Sequence, residues 1–371
     1  MRHLLRPVAV LATSAVIAAT LATSAQAAAQ PDDLASGWLK RQLSDGLIVG
    51  HYQDTFTDPD NPTWVKYNDY GLSADVAFGL AAIGRGATKV SVISDAVAPH
   101  VDSWTTGADF GAPGDVYAGS VAKAAVLAQT AGDDASSYGG VDLIERLEST
   151  VSDQPMTLGR IEDQGSADYA NTIGQGFAAL ALARAGSPEA VEVRRFLLQQ
   201  QCDAGYFRLN FSDKAAADQS CESPMEVSAP DTDATALSLI ALHSLPTQGK
   251  QVRRAIDNAS DWLIGKQKDN GSFGGGPSTK GSNANSTGLA AWALGEQGSC
   301  RSAAQAAGWV RRLQVTGKVK GTPFAGEKGA IAYNRAAFKT GKTQGIKRPT
   351  RDQWRRTSSQ AAPGLSFVAG C

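Results

Sequence analysis

Asp231 and Asp233 stand two residues apart in Pro230-Asp231-Thr232-Asp233-Ala234-Thr235-Ala236, just ahead of an apolar run. At the start of a helix such a pair has two uses. A carboxylate can cap the helix by accepting from free backbone N–H groups. A carboxylic acid held in the right place can instead deliver a proton, which demands a perturbed, well-positioned group. The chain offers few other reactive residues. Beyond the leader it has only His51, His100 and His243, each read as a surface or satisfied core histidine. Its cysteines are Cys202, Cys221, Cys300 and Cys371, none in a CxxC pair, so no metal site and no cofactor is expected. An even number of cysteines in an exported chain points to disulfides. Of three connectivities, Cys202–Cys221 closes a short loop and Cys300–Cys371 staples the last residue, and this pairing is the expectation.

The acidic pair recurs in altered form. Residues 230–242 and 283–294 align without gaps, so that Asp231 meets Asn283, Asp233 meets Asn285 and Thr235 meets Thr287. A polar start followed by a small-residue apolar helix returns every ~45–60 residues, the signature of one unit stacked on copies of itself. Inner helices rich in Ala and Gly are predicted near 71–84, 116–131, 169–185, 232–245, 284–297 and 329–339. Amphipathic outer helices are predicted near 33–43, 88–104, 141–150, 188–201, 251–267 and 302–315. Without sustained period-two alternation, almost no sheet is expected. The fold class is therefore all-α, six helical hairpins in a ring, an (α/α)6 toroid.

Several outer helices end in Gln-x-x-x-Gly-x-apolar: Gln42, Gly46, Ile48; Gln201, Gly205, Phe207; Gln267, Gly271, Phe273. The glycine suits a left-handed helix exit, the apolar residue folds back onto the core, and the glutamine serves backbone groups of a neighbouring helix. In the expected alignment the column of Asp231 holds Asp69, Asp115, Tyr169, Asn283 and Glu327. The column of Asp233 holds Gly71, Tyr117, Asn171, Asn285 and Gly329. Capping is the first reading of these columns. Asp69, Asp115, Asn171, Asp231, Asp233, Asn283 and Asn285 are also the candidates for a ligand-facing rim, because parallel inner helices would gather their N-termini around one mouth.

The ends bound the context. Residues 1–27 read as a signal peptide: Arg2, His3 and Arg6, an apolar run from Val8, and Ala25-Gln26-Ala27 as the cleavage site. The ring is expected over 28–345 and a basic tail over 346–371. A formal net charge of −1 gives nucleic-acid binding no electrostatic support. Charge is uneven, however: 31–170 is acidic, and 311–356 carries thirteen Lys or Arg against Glu327 and Asp352. That segment is read as a solvated face, as the complement of the acidic N-terminal units, or as a contact to anionic envelope polymers.

Trp262…Gln267-Lys-Asp-Asn-Gly271-Ser-Phe273 resembles the QW-type repeat of the squalene cyclase, terpenoid cyclase and protein prenyltransferase superfamily. The stretch 230–236 is similar to the Asp-x-Asp-Asp-Thr-Ala motif of class II terpenoid cyclases. The resemblance implies a toroid of prenyltransferase/squalene oxidase-type repeats and places Asp233 on the proton donor, with Ala234 replacing the third Asp. Three features separate this chain from a cyclase: room for one ring only, few aromatic residues on the inner helices (Phe78, Phe177, Trp292, Phe338), and export. The expected function is thus a secreted, non-catalytic ring that binds a small molecule or a cell-envelope partner at its mouth. The alternative is an enzyme on the same ring, either cyclase-like with Asp233 as acid and Asp231 beside it, or a glycan-acting hydrolase or lyase.

Overall fold

A computed structural model describes residues 29–223 and 227–371; the expected leader lies outside them. Helices alternate between two concentric circles. The outer circle is α1 (Pro31–Lys40), α3 (Ala87–Val97), α6 (Leu143–Glu148), α8 (Ala190–Gln199), α10 (Lys250–Lys266) and α12 (Cys300–Arg311). The inner circle is α2 (Tyr70–Ile83), α5 (Ala118–Ala131), α7 (Thr172–Ala185), α9 (Thr232–His243), α11 (Ala284–Glu296) and α14 (Arg348–Ala361). Each inner helix packs on the next, and α14 packs on α2, which closes the ring. Short helices α4 (Val101–Thr105) and α13 (Arg335–Gln344) lie between.

Composition explains the two circles. Outer helices bury one stripe, such as Val193, Phe196 and Leu197 of α8. Inner helices α5, α7, α9 and α11 bury residues on every side and need small ones to pack closely. A Cβ on Gly174 would lie 3.1 Å from the Cα of Gly119, and a Cβ on Gly288 would overlap Ala361. Neighbours run in the same sense: Gly119 meets Gly174 near the helix starts, and Gln129 Nε2 donates to the Ala181 carbonyl (2.9 Å) near the ends.

One hydrogen bond repeats around the ring. A side chain four residues past the helix start accepts from the backbone N–H of the apolar residue that follows the preceding outer helix. Ser73 does this for Ile48 (2.9 Å), Thr235 for Phe207 (3.0 Å) and Thr287 for Phe273 (3.0 Å); in the longer α14 the same bond to Ile331 (2.9 Å) is made by Ser358, near the end of the helix. In α7 Gln175 takes the role for Ile161 (3.0 Å). The glutamine pattern acts as expected at Gln201 and Gln267 but not at Gln42, whose Oε1 accepts from the side chains of Arg351 and Arg355. Gln201 Nε2 donates to the Gly205 and Ala255 carbonyls, and Gln267 Nε2 to those of Gly271 and Ser302, tying each turn to the next outer helix. Gly205 and Gly271 hold φ of 98° and 87°, so a side chain there would be strained.

Three expectations need correction. The sixth inner helix is not 329–339 but α14, so 346–371 is no tail: α14 and the 3-10 turn Pro363–Phe367 complete the ring. The apolar pattern missed α14 because it buries hydroxyls (Thr357, Ser358, Ser359) around Trp354 instead of alanines. Second, a small antiparallel sheet, β1 (Leu43–Ser44), β2 (Leu47–Asp54) and β3 (Thr63–Asn68), projects ahead of α2, and β4 (Thr106–Gly107) pairs with β5 (Ala112–Val116). Third, the register of the polar columns shifts, as described below. The disulfides join Cys202 to Cys221 and Cys300 to Cys371, the expected pairing.

The two ends of the chain meet. Arg351 pairs with Glu327 (2.7 Å), Arg355 donates to the Val49 carbonyl (2.8 Å), and Arg356 pairs with Asp69 (2.5 Å). Gln314 Nε2 donates to the Pro31 carbonyl (2.7 Å). Arg351, Arg355 and Arg356 of the basic segment therefore close the ring against its first unit. Lys318, Lys320, Lys328, Lys339 and Lys342 are exposed.

Candidate functional site

The polar residues at the inner-helix starts divide into caps and non-caps. Asp231 accepts from the N–H groups of Asp233 (2.8 Å) and Ala234 (2.9 Å), and Asn283 from Ser286 (2.9 Å). Asp69 accepts from Leu72 (2.8 Å), and Asn171 from Ile173 (3.0 Å) and Gly174 (3.2 Å). Asn171 is thus the equivalent of Asp231, two residues from the expected alignment. Asp115 caps nothing; it lies in β5, and α5 starts after Tyr117. Asp163 from a neighbouring loop substitutes, accepting from Ala118 N–H (2.7 Å) and Tyr169 N–H (3.0 Å). Burial raises the pKa of Asp163. Glu327 starts no helix; it accepts from Trp38 Nε1 (2.8 Å) and pairs with Arg351.

Asp233 and Asn285 occupy equivalent places two residues further on, and neither is a cap. Asn285 bridges to α14: its Nδ2 donates to Gln360 Oε1 (2.6 Å) and its Oδ1 accepts from Thr357 (2.9 Å). Asp233 has no such partner. Among the described residues its buried Oδ1 and the buried Oγ of Ser286 make no hydrogen bond. Burial drives its pKa up to about 6, opposed by the nearby Ser286 hydroxyl and assisted by the charge of Asp231. The Gly-rich loop after Phe273 lies over the pair. A Cβ on Gly275 would come within 3.0 Å of Asp233 Oδ2, and one on Gly276 would overlap the Asp231 carboxyl.

An apolar hollow of the ring lies elsewhere. A central cavity of about 320 Å³ is lined by successive turns of the inner helices. Counted four residues past the Asp233 level, every inner helix contributes one residue: Asp75, Lys123, Phe177, Leu237, Leu289 and Gln360. Three residues further come Phe78, Val126, Leu180, Ile240 and Trp292, and then Ala82, Thr130, Arg184 and Ser244. Ala82, Arg184 and Ser244 are exposed, so the cavity opens at the C-terminal ends of the inner helices. The expected rim at the N-terminal mouth is therefore not where this cavity opens. None of the seven rim candidates lines it.

Polarity within the cavity is graded. At its inner end Asp75, Lys123 and Gln360 stand on the adjoining helices α2, α5 and α14, with Lys123 Nζ 2.5 Å from Asp75. The facing helices supply Phe177, Leu237 and Leu289. The middle is apolar and aromatic, with Phe78 stacked on Phe177 at 5.7 Å. Sequence reasoning singled out Phe78, Phe177 and Trp292 only as aromatic exceptions. It missed Asp75, Lys123 and Arg184, although a charge inside a helix of Ala and Leu was a usable signal. Phe338 is not in the cavity; it packs on Phe324. A second, polar hollow of about 630 Å³ surrounds Arg160, Asp168 and Lys214. These three are ion-paired among themselves and with Glu162: Arg160–Asp168 at 3.0 Å, Lys214–Asp168 at 3.2 Å and Lys214–Glu162 at 2.8 Å. Among the described residues no cluster of three or more His, Cys, Asp or Glu is arranged to hold a metal ion.

No protein-family model matches the chain, and no curated protein matches it in sequence. Solved structures do match in fold. The type II terpene cyclase MstE from Scytonema superposes with a TM-score of 0.60 at 15% identity, over 91% of this chain and 97% of that one. An unsaturated glucuronyl hydrolase specific for heparin gives 0.58 at 10% identity, over 91% and 96%. The ent-copalyl diphosphate synthase from Streptomyces platensis gives 0.51 at 18% identity, over 80% of this chain and half of that one. The protein thus shares the α/α-toroid fold of type II terpene cyclases and of a glycan-acting hydrolase. At these identities the likeness is one of fold, and a ring of this kind hosts unrelated activities.

Proposed function

We propose that the protein is an exported, non-catalytic toroid, a single-ring relative of the prenyltransferase and squalene-cyclase repeat proteins, that holds a small apolar molecule in its central cavity. The observation that carries this reading is the layered lining. All six inner helices place a residue at the cavity's inner end, and the next layer is apolar or aromatic. Such concave, mostly apolar sites with a few converging polar groups are ligand sites by default. The carboxyl inside it, Asp75, is paired with Lys123. Two disulfides suit an oxidising compartment, and no helix among the described residues is long and apolar enough to cross a membrane.

The test is occupancy. Native mass spectrometry of the secreted protein is expected to show a bound small molecule, or the protein to bind Nile red. Leu237→Trp, which fills the cavity, should abolish both while the fold persists. No adduct and no dye binding by the wild type would sink the reading.

One observation favours a second reading, an enzyme with Asp233 as its acid: a carboxyl with a pKa of about 6 and an unpaired buried oxygen. Under that reading Asp233→Asn abolishes a turnover that wild-type protein shows, at unchanged or higher stability.

A further inference from the structure

Arg184 occupies the outermost layer of the cavity, seven residues past Phe177 on α7. Its side chain reaches solvent, yet enough of its guanidinium is desolvated to lower its pKa. Among the described residues it has no hydrogen-bond or ion-pair partner. The same layer is otherwise uncharged along the cavity wall, with Ala82, Thr130 and Ser244; Glu296 holds the equivalent place on α11 but does not line the cavity. A basic residue in the last turn of a helix ordinarily answers the helix dipole. That alone does not account for Arg184, since α2, α5 and α11 end at the same level with no basic residue in their last turns.

We propose that the cavity selects an amphipathic monoanion, with a short apolar body inside the ring and a carboxylate or similar singly charged head paired with Arg184 at the C-terminal mouth. The inference rests on the cavity-binding reading and names its ligand class. Three properties of the site converge on it. The middle layer is apolar, so the body of the ligand must be apolar. The volume is about 320 Å³, and a water-sized group takes about 30 Å³, so roughly ten such groups fit. Of the residues that line the cavity at its opening the one charged group is the Arg184 guanidinium, which has no partner among the described residues and matches a carboxylate in bidentate fashion. Charge number follows from the surroundings. The C-termini of α2, α5 and α7 carry partial negative charge at this mouth, which disfavours a second negative charge that Arg184 cannot answer. At the far end the Asp75–Lys123 pair and Gln360 would accept a small polar substituent but offer no second free charge.

Isothermal titration of the full secreted protein with decanoate, decanol and decyltrimethylammonium tests this. Wild type should bind decanoate about tenfold or more tighter than decanol, the usual worth of a charge-assisted hydrogen bond, and the cation weakest. Arg184→Gln should bring decanoate down to the affinity of decanol while leaving decanol unchanged. Arg184→Lys should retain most of the preference. Equal binding of decanoate and decanol by wild type, or a preference that survives Arg184→Gln, would overturn the anion assignment and leave the cavity reading standing. Failure of all three to bind would overturn the cavity reading itself, and the assignment with it.

Discussion

The starts of α9 and α11 are near copies in sequence and unlike in electrostatics. Asp231 and Asn283 do the same work, each accepting from N–H groups of the first turn. Two residues on, the copies part. Asn285 is held by Thr357 and Gln360 of the sixth inner helix, whereas Asp233 faces a glycine loop with an unpaired oxygen. The cap position answers the same demand in both units, because every helix start has free N–H groups. The next position answers whatever the neighbouring unit presents. After α11 that neighbour is α14, which brings hydroxyl and amide groups. A repeat protein therefore keeps its backbone chemistry from unit to unit and individualises the side chains two residues further in.

The largest effect that can break this comparison is at Asp233. Its folded pKa is raised from 3.8 to about 6, so its contribution to stability is fully present below about pH 4 and lost as pH rises through about 6. A rise of that size disfavours the folded state by about 2–3 kcal/mol once the carboxyl is ionised. Asp233→Asn is thus expected to match wild type near pH 4 and to exceed it by up to that amount at pH 7. Urea unfolding at a series of pH values reads the difference. A variant that is less stable than wild type at pH 7 would mean that the ionised carboxylate is held by an interaction absent from this structure.

The converse change at α11 should hurt. In Asn285→Asp the donor to Gln360 Oε1 is replaced by an acceptor, and the carboxylate is left among α14 groups. A lost buried hydrogen bond with an unsatisfied partner costs about 1–3 kcal/mol, offset in part by the favourable placement of a negative charge near a helix N-terminus. A thermal scan at pH 7 should show a lowered midpoint that recovers when the new carboxyl is protonated. An unchanged midpoint would mean that the Asn285–α14 bridge does not tie the ring shut.

The legible parts of this molecule were those fixed by backbone demand. The caps Asp69, Asp231 and Asn283, the glycine exits at Gly205 and Gly271 and the ring itself follow from helix termini and close packing, which leave the same marks in each unit. Cys202–Cys221 and Cys300–Cys371 followed from loop length and the position of the last residue. What was not legible depended on tertiary neighbours. α14 carries Arg, Ser and Thr because its buried face hydrogen-bonds to a turn and to α11, so no apolar period betrayed it. Its start at Lys347-Arg348-Pro349 was a usable signal. Asp115 looked like a cap from spacing alone, but β5 delays the helix by two residues and Asp163 supplies the carboxylate from outside the unit. The cavity escaped because its lining is one residue per turn per helix, and its opening depends on side-chain size at the C-terminal ends, not on any motif.

The smallest expected effect sharpens the comparison most. Asp231→Asn keeps an oxygen for the N–H groups of Asp233 and Ala234, so the cap survives. The lost charge costs a few tenths of a kcal/mol against the helix dipole, and the loss is countered because Asp231 no longer disfavours ionisation of Asp233. The net change should be within about 0.5 kcal/mol, whereas Asp231→Ala should cost about 0.5–2 kcal/mol. Asn283 does not enjoy the same freedom. Its Nδ2 donates to the Gly281 carbonyl at 3.2 Å, and an aspartate would turn an acceptor toward that carbonyl, a loss of about 1 kcal/mol. The two caps are thus interchangeable in one direction only. Equal and silent behaviour of Asp231→Asn and Asn283→Asp in denaturant unfolding would reduce both positions to plain caps and leave the glycine loop after Phe273 without a part in either. Equal damage in both would show that the charge of Asp231, not its hydrogen-bond acceptor, holds the start of α9.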